Sequence, residues 1–530
     1  MAQQMKPKVA RVSPQKLRNM LGDRSELAFL DVREDGQFGE AHPLFATPLP
    51  YSRLEPGIVN LVPRRATPVI LCDQSGDDVA PLAAQRLYRI GYTDVSVLEG
   101  GAAGWANAGY VLFRGVNVPS KLFGELIEHV YHTPRVTAQD VVRMRDAGEN
   151  FVIVDGRPFG EYQKMTIPGS TCCPNAELPY RIPTMVKDPR TKIVVNCAGR
   201  TRSIVGAQTL INFGIPNPVY ALENGTQGWY LADLKLERGS SRKYPDQVDT
   251  GALPSQQAAA KQLMERFSVR SVNRREVETW FKDPSRTTYL CDVRTPEEFA
   301  QGSLPGAVHA PGGQLVQATD QWIGVRNARV VLIDSDGVRG PVVASWLKQL
   351  GCDVSVLEDG IRSGLSAPFP VQPTLPEVAM LSASQLKSAL QNGQCAVIDL
   401  RPSAIFRKNH IPGSCWSIRP RLAATARDMK ASMVVLVADD VQLARVGAID
   451  LQEAGFSDVK MLEGGIEAWI QAGYETDASP DAPPDSERID HLFFVHDRHA
   501  GNREAMKQYL AWETGLIAQL DEKDRAAFKI

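Results

Sequence analysis

A chain of 530 residues is too long for a single hydrophobic core, and its length predicts three or four domains. With 43% hydrophobic residues, 23% charged residues and a formal net charge of -2, the composition is that of an ordinary globular protein. It lacks the basic excess that binding a phosphate backbone demands, so nucleic acid is not an expected partner. The opening MAQQMKPKVARVSPQ has no apolar core of a secretory signal, and no later stretch approaches the roughly 18 uninterrupted apolar residues of a membrane span. A cytoplasmic location with no membrane partner is the expectation. Eight cysteines, at 72, 172, 173, 197, 291, 352, 395 and 415, form neither metal-ligand CxxC pairs nor a dense disulfide framework. Each is expected to be a free thiol, with no metal and no cofactor.

Taken in chain order, the predicted elements repeat four times. The first copy, residues 8–116, has a strand AFLD ending at Asp31, a second strand TPVILC, and a third closing in VSVLEGGAAGW. A bridge with a helical middle, PSKLFGELIEHVYHTPR, leads to the second copy, 134–240. There VIVD ends at Asp155, KIVVNC follows, then the helix-like VGAQTLINFGI and VYALENGTQGW. The segment SSRKYPDQVDTGALPSQQAAAKQ is read as a polar, mobile linker. The third copy, 268–372, has YLCD at Asp292, RVVLID and VSVLEDGIRSGL; a proline-rich FPVQPTLPE joins it to the fourth, 378–477, with VIDL at Asp399, MVVLVA and VKMLEGGIEAW. Residues 478–530 follow: ETDASPDAPPDSE, starting slightly earlier at 475, is expected to be disordered, and HLFFVHDRHAGNREAMKQYLAWETGLIAQL helical. Strand, loop, helix is the parallel α/β pattern. The aspartates are 124, 137 and 107 residues apart, far beyond a solenoid repeat, so each copy is long enough to be a domain.

The D-x-R after the first strand of each copy, the I-P-G-S turns at 167–170 and 411–414, the cysteine loop, and L-E-x-G with Trp at 105, 229 and 469 together resemble the rhodanese family. The resemblance runs from about residue 10 to 477. It implies α/β architecture: four tandem rhodanese-like domains, each a small parallel sheet flanked by helices, followed by the helical tail, with the active loop at the carboxyl end of a strand.

The chemistry concentrates in NCAGRTRS of the second copy. Cys197 ends a strand and immediately precedes a helix, so the backbone N–H groups of Ala198, Gly199, Arg200, Thr201, Arg202 and Ser203 can curl into an anion-binding nest. The helix dipole and the charges of Arg200 and Arg202 are expected to favour thiolate over thiol. The family mechanism implied is that the Cys197 thiolate takes the outer sulfur of thiosulfate or a related persulfide and passes it to a thiol or cyanide. A phosphatase or arsenate-reductase loop would, as the resemblance implies, leave five residues between cysteine and arginine, and here four separate Cys197 from Arg202. Asp155 and Arg157 are read as structural support, the usual family role of D-x-R. Glu161 stands where some relatives carry a substrate-binding arginine, and Thr166 where a histidine is frequent.

Counting back thirteen residues from the helix leucine places Asp334, Ala438 and Gln74 at the position of Cys197 in the other copies, which are therefore read as inactive. In the first copy a longer loop would instead bring Cys72 near that position, but Cys72 stands beside three carboxylates and no arginine in its loop, a field that raises a thiol pKa and repels anions. Adjacent Cys172 and Cys173 are read as buried apolar residues rather than resolving thiols, and His491, His496 and His499 as docking rather than zinc-binding. Tyr509, Leu510, Trp512, Leu516, Ile517 and Leu520 form a stripe that packs on a domain or a second subunit, which leaves a homo-oligomer open. Two readings stand: a sulfurtransferase acting on a small anionic sulfur donor and a thiol or cyanide acceptor, and a non-catalytic array serving as a sulfur-relay or binding scaffold, with a sulfur-carrier protein as partner.

Overall fold

The structure is a computed structural model that describes residues 9–499 and 501–530. The reading of the amino terminus and the start of the first copy at residue 8 fall partly on residues 1–8, and the histidine trio includes the His499 side chain; these lie outside the described residues.

Four five-stranded parallel sheets form, one per copy, and numbered within each copy all four have the strand order 1-5-4-2-3. In the second copy the strands are Arg135–Val136, Phe151–Asp155, Thr171–Cys172, Lys192–Asn196 and Val219–Leu222. Helices cover both faces of such a sheet, so the central strands read as unbroken apolar runs rather than alternating ones. Ile193, Val194 and Val195 are fully buried, as are Leu210 and Leu222 from the neighbouring elements. The register pairs Asp155 with Asn196. Both strands therefore end together, and the next residue, Cys197, is delivered to the carboxyl edge of the sheet.

The chain divides into two compact units. The first takes the chain up to Arg18 with Ala28–Val116 and Pro370–Val495, that is, the fourth copy and the first apart from Asn19–Leu27, which belongs to the second unit. Within it Arg419, 4% exposed, meets Glu55, 1% exposed, through two charge-assisted hydrogen bonds of 2.5 and 2.8 Å. The second takes Asn117–Phe369 and His496–Ile530: the second and third copies, the helix Val118–Tyr131 and the tail. Here Ser120 Oγ donates to the Gln317 carbonyl, tying the bridging helix to the third copy, and Trp346 Nε1 donates to Thr209 Oγ1, tying the third copy to the second.

Two linker expectations are corrected. The segment after Ser240 is not mobile throughout, because Leu253–Arg266 is a helix. Gln256, Ala260 and Leu263 fall on one helical face, and the latter two are buried with Phe213, Val338 and Val342. Nor is the stretch after Tyr474 disordered: Asp477 and His410 exchange both backbone hydrogen bonds, and Arg407 holds the Pro483 carbonyl. The tail is helical over Arg503–Thr514, with shorter turns at Ile517–Gln519 and Glu522–Arg525. Its stripe docks on its own chain: Tyr509 and Leu516 are buried, and Phe528 stacks on Phe123 of the bridging helix with ring centroids 6.3 Å apart. No helix among the described residues is long and apolar enough to cross a membrane.

Candidate active site

Cys197 is 2% exposed and lies between the strand Lys192–Asn196 and the helix Thr201–Phe213. Its carbonyl accepts the Thr226 N–H at 2.8 Å. Gly225, at φ +51°, passes so close that a Cβ there would collide with that carbonyl, so glycine is required. Ser203 Oγ donates to the Arg200 carbonyl at 2.8 Å and to that of Leu222 at 3.2 Å, which fixes the helix start against the fifth strand.

Beneath the loop, Asp155 and Arg157 are buried and joined by Nε–Oδ1 and Nη2–Oδ2 bonds of 2.9 and 2.7 Å. Asp155 Oδ2 also accepts from Asn196 Nδ2 and Thr166 Oγ1. The same Asp–Arg pair recurs at Asp31–Arg33, Asp292–Arg294 and Asp399–Arg401. Thr166 thus does with a hydroxyl what a polar side chain at this position can do for the pair; Ser303 does the same for Asp292, at 2.6 Å.

The two loop arginines are placed differently from the expectation that both lend free charge to the sulfur. Arg200 donates to Glu125 at 2.7 and 2.9 Å and also to Glu128. Burial pushes the Glu125 carboxyl up to about 6, and Arg200 opposes that shift. Arg202 is fork-paired with Glu161 through two 2.8 Å bonds. Burial disfavours the charge on Arg202, but Glu161 and, more weakly, Cys197 hold its pKa above the ordinary value. The third copy repeats this pair as Arg339–Glu298, at the same distances along the chain from Asp334 and Asp292. Glu161 is therefore a recurrent arginine partner, which accounts for the acidic residue at this position.

Sequence reasoning missed the other groups around the loop. Gln227 Nε2 donates to the Ala198 carbonyl at 3.1 Å. From the tail, Glu513 Oε1 accepts from Thr201 Oγ1 at 2.8 Å, and Glu513 is only 2% exposed. One signal pointed to it: a carboxylate one turn after Tyr509, on the buried face of an otherwise apolar stripe.

Among the other three copies, the expected counterpart of Cys197 shifts in one. In the first copy Asp31 pairs with Cys72, as Asp155 pairs with Asn196, and the Asp73 carbonyl accepts the Ala102 N–H as that of Cys197 accepts Thr226. The counterpart of Cys197 is thus Asp73, not Gln74, because a longer loop precedes this helix and defeats counting from Leu87. Cys72 belongs to the strand and is fully buried; burial first, then Asp31, pushes its thiol far above its ordinary value. Asp334 and Ala438 stand where expected, each directly after the residue paired with its D-x-R aspartate.

In both aspartate copies the carboxylate fills the concave face of the loop. Asp73 accepts the N–H groups of Ser75, Gly76, Asp78 and Ala80. Asp334 accepts those of Gly337 and Gly340 at 3.0 and 2.8 Å. In each, loop N–H groups converge on a carboxyl group, although burial, and after it Asp336, pushes that of Asp334 well above the usual carboxylate range. Cys172 and Cys173 are buried; burial raises Cys172 to about 12 and Cys173 further. Among the described residues no group of three or more His, Cys, Asp or Glu is placed to hold a metal ion.

The rhodanese-like domain family matches residues 13–108, 137–232, 274–367 and 382–472. A crystal structure of thiosulfate sulfurtransferase from Pseudomonas aeruginosa is 43% identical, with a TM-score of 0.92, and the match covers 98% of this chain and 99% of that one. An HTH-type transcriptional regulator of Mycobacterium tuberculosis, Rv0324, is 33% identical over 105 residues, 20% of this chain and 45% of that relative's length. With four copies of the domain matched over most of its length and one sheet topology throughout, this chain belongs to the rhodanese-like domain family.

Proposed function

We propose that the protein is a sulfurtransferase whose sulfur carrier is Cys197. The observation that carries this reading is the contrast between copies: at one position one copy carries a cysteine, two carry a carboxylate that accepts N–H groups of its own loop, and the fourth carries an alanine. A nest that stabilises an internal carboxylate can stabilise a thiolate or the anionic portion of a donor by the same N–H groups. The full-length likeness to a thiosulfate sulfurtransferase supports the same chemistry.

In the first half-reaction the Cys197 thiolate bonds to the outer sulfur of thiosulfate or a related persulfide. The S–S bond breaks and its electron pair leaves with sulfite or a thiolate. In the second, a thiol or cyanide attacks the terminal sulfur of the Cys197 persulfide and the Cys197 thiolate is restored. No external oxidant or reductant is needed. Arg202, held by Glu161, is the loop cation whose charge reaches Cys197. Ala198 to Ser203 supply the backbone donors, and Asp155 with Arg157 keeps the strand ends from which the loop springs in place.

Purified protein given thiosulfate and cyanide tests this: thiocyanate release and a one-sulfur mass gain on Cys197 are expected. Absence of both with thiosulfate and with an alkyl persulfide would overturn the reading.

A further inference from the structure

We propose that Glu513, from the carboxyl-terminal helix, is a specificity-determining residue that discriminates against dianionic sulfur donors at the Cys197 loop; this rests on the reading of Cys197 as a sulfur acceptor. The helix Arg503–Thr514 brings Glu513 to the loop face from more than 300 residues away in sequence. One carboxylate oxygen is fixed by the Thr201 hydroxyl. The other, Oε2, is buried and has no hydrogen-bond partner among the described residues. It looks onto Gly199: a Cβ built there would lie 3.1 Å from Oε2 and 3.4 Å from Gln227 Nε2.

This oxygen adds negative charge to a loop whose two arginines are already paired with carboxylates. Arg200 is shared between Glu125 and Glu128, and Arg202 is taken by Glu161. Lys121 and Arg498 stand over the ring of Tyr509, one turn before Glu513. Glu513 also acts on the Arg200 cation, but its Oε2 has no donor of its own among the described residues, and a carboxylate oxygen left without one in a site shielded from water repels a second anion more strongly than it would in solution. A donor bearing two negative charges pays that repulsion twice, and a singly charged one once. The absence of a side chain at Gly199 lets Glu513 Oε2 lie against the loop backbone.

The chemistry is the same for two probes that differ by one charge. Cys197 bonds to the terminal sulfur of either; the S–S bond breaks, and its electron pair departs with sulfite from thiosulfate or with methanesulfinate from methanethiosulfonate. Each leaves the same Cys197 persulfide, which cyanide discharges.

The experiment compares kcat/KM for thiosulfate and methanethiosulfonate, with cyanide as acceptor, in the unaltered protein and in Glu513→Gln. Glutamine keeps the size and can still accept from Thr201. The thiosulfate-to-methanethiosulfonate ratio is expected to rise about tenfold in the variant. In the unaltered protein the same ratio is expected to rise only modestly with ionic strength, because a buried charge is screened much less than an exposed one, and this measurement stands even if the variant folds poorly. A ratio unchanged within about twofold by the substitution, or one that falls with salt, overturns the assignment of Glu513 while leaving the sulfurtransferase reading intact. If neither probe places sulfur on Cys197, that reading falls, and the proposal with it.

Discussion

Asp73 holds in the first copy the place that Cys197 holds in the second, and its carboxylate takes four backbone N–H groups of its own loop. Asp73→Ala would strip those donors of their acceptor and cost about 3 kcal/mol, since buried N–H groups left unpaired are expensive even after some relaxation. The emptied nest should then accept an external anion. Thermal unfolding with and without sulfate checks both: the variant melts lower, and sulfate raises its Tm more than that of the unaltered protein. Equal sulfate effects in the two would mean that the loop is not an anion nest.

Arg419 binds Glu55, Asp450 and the carbonyl of Tyr51, joining the fourth copy to the first. Arg419→Met leaves buried Glu55 with only the more distant Arg86, 3.9 Å away, as a cationic partner, and is expected to destabilise the unit by about 3 kcal/mol. Replacing both charges, Arg419→Met with Glu55→Leu, should recover most of that loss. Chemical denaturation of the single and double variants decides it, and a double variant as unstable as the single one would show that the lost partner is not the cause.

His42 lies buried between the carbonyls of Pro43 and Gly115 and stacks on Phe38 with centroids 3.8 Å apart. Burial lowers its pKa to about 4 from an ordinary 6.5. Between those values the unfolded chain binds the extra proton, so stability rises with pH there. The contribution is complete above about 6.5 and is lost as the pH falls towards about 4, by about 3 kcal/mol. Unfolding free energies at pH 7 and pH 5 should differ more for the unaltered protein than for His42→Gln.

Cys72→Ser should leave sulfur transfer at its original rate. The Cys72 thiol is buried in a strand beside Asp31 and is held protonated, so it offers no nucleophile. Steady-state rates with thiosulfate and cyanide check this, and a loss comparable to that of Cys197→Ser would contradict the placement.

Local pattern carried much of this architecture. The β-branched runs ending in Asp31, Asp155, Asp292 and Asp399 gave the four sheets, because buried parallel strands need continuous apolar sequence and their carboxyl ends need the D-x-R anchor. The position of Cys197 followed from the same pattern. Asp73 was misplaced by one residue because loop length is invisible to counting from a helix, whereas strand register fixes it. The helix Leu253–Arg266 was hidden by its polar composition; only a partner surface at Phe213 and Val338 reveals which face is buried. Arg200 read as a free cation since Glu125 and Glu128 approach it from a different helix, and Glu513 arrives from the far end of the chain. Such contacts depend on packing between elements, which no local spacing encodes.

The central claim is that one sulfur atom, that of Cys197, carries the transferred sulfur. Intact mass of the protein after thiosulfate, with the modified peptide sequenced, measures it most directly. A gain of one sulfur located at Cys197, removed by cyanide and abolished in Cys197→Ser, is the predicted result. Full turnover in Cys197→Ser, or sulfur found on Cys172, Cys173 or Cys72 instead, would contradict it.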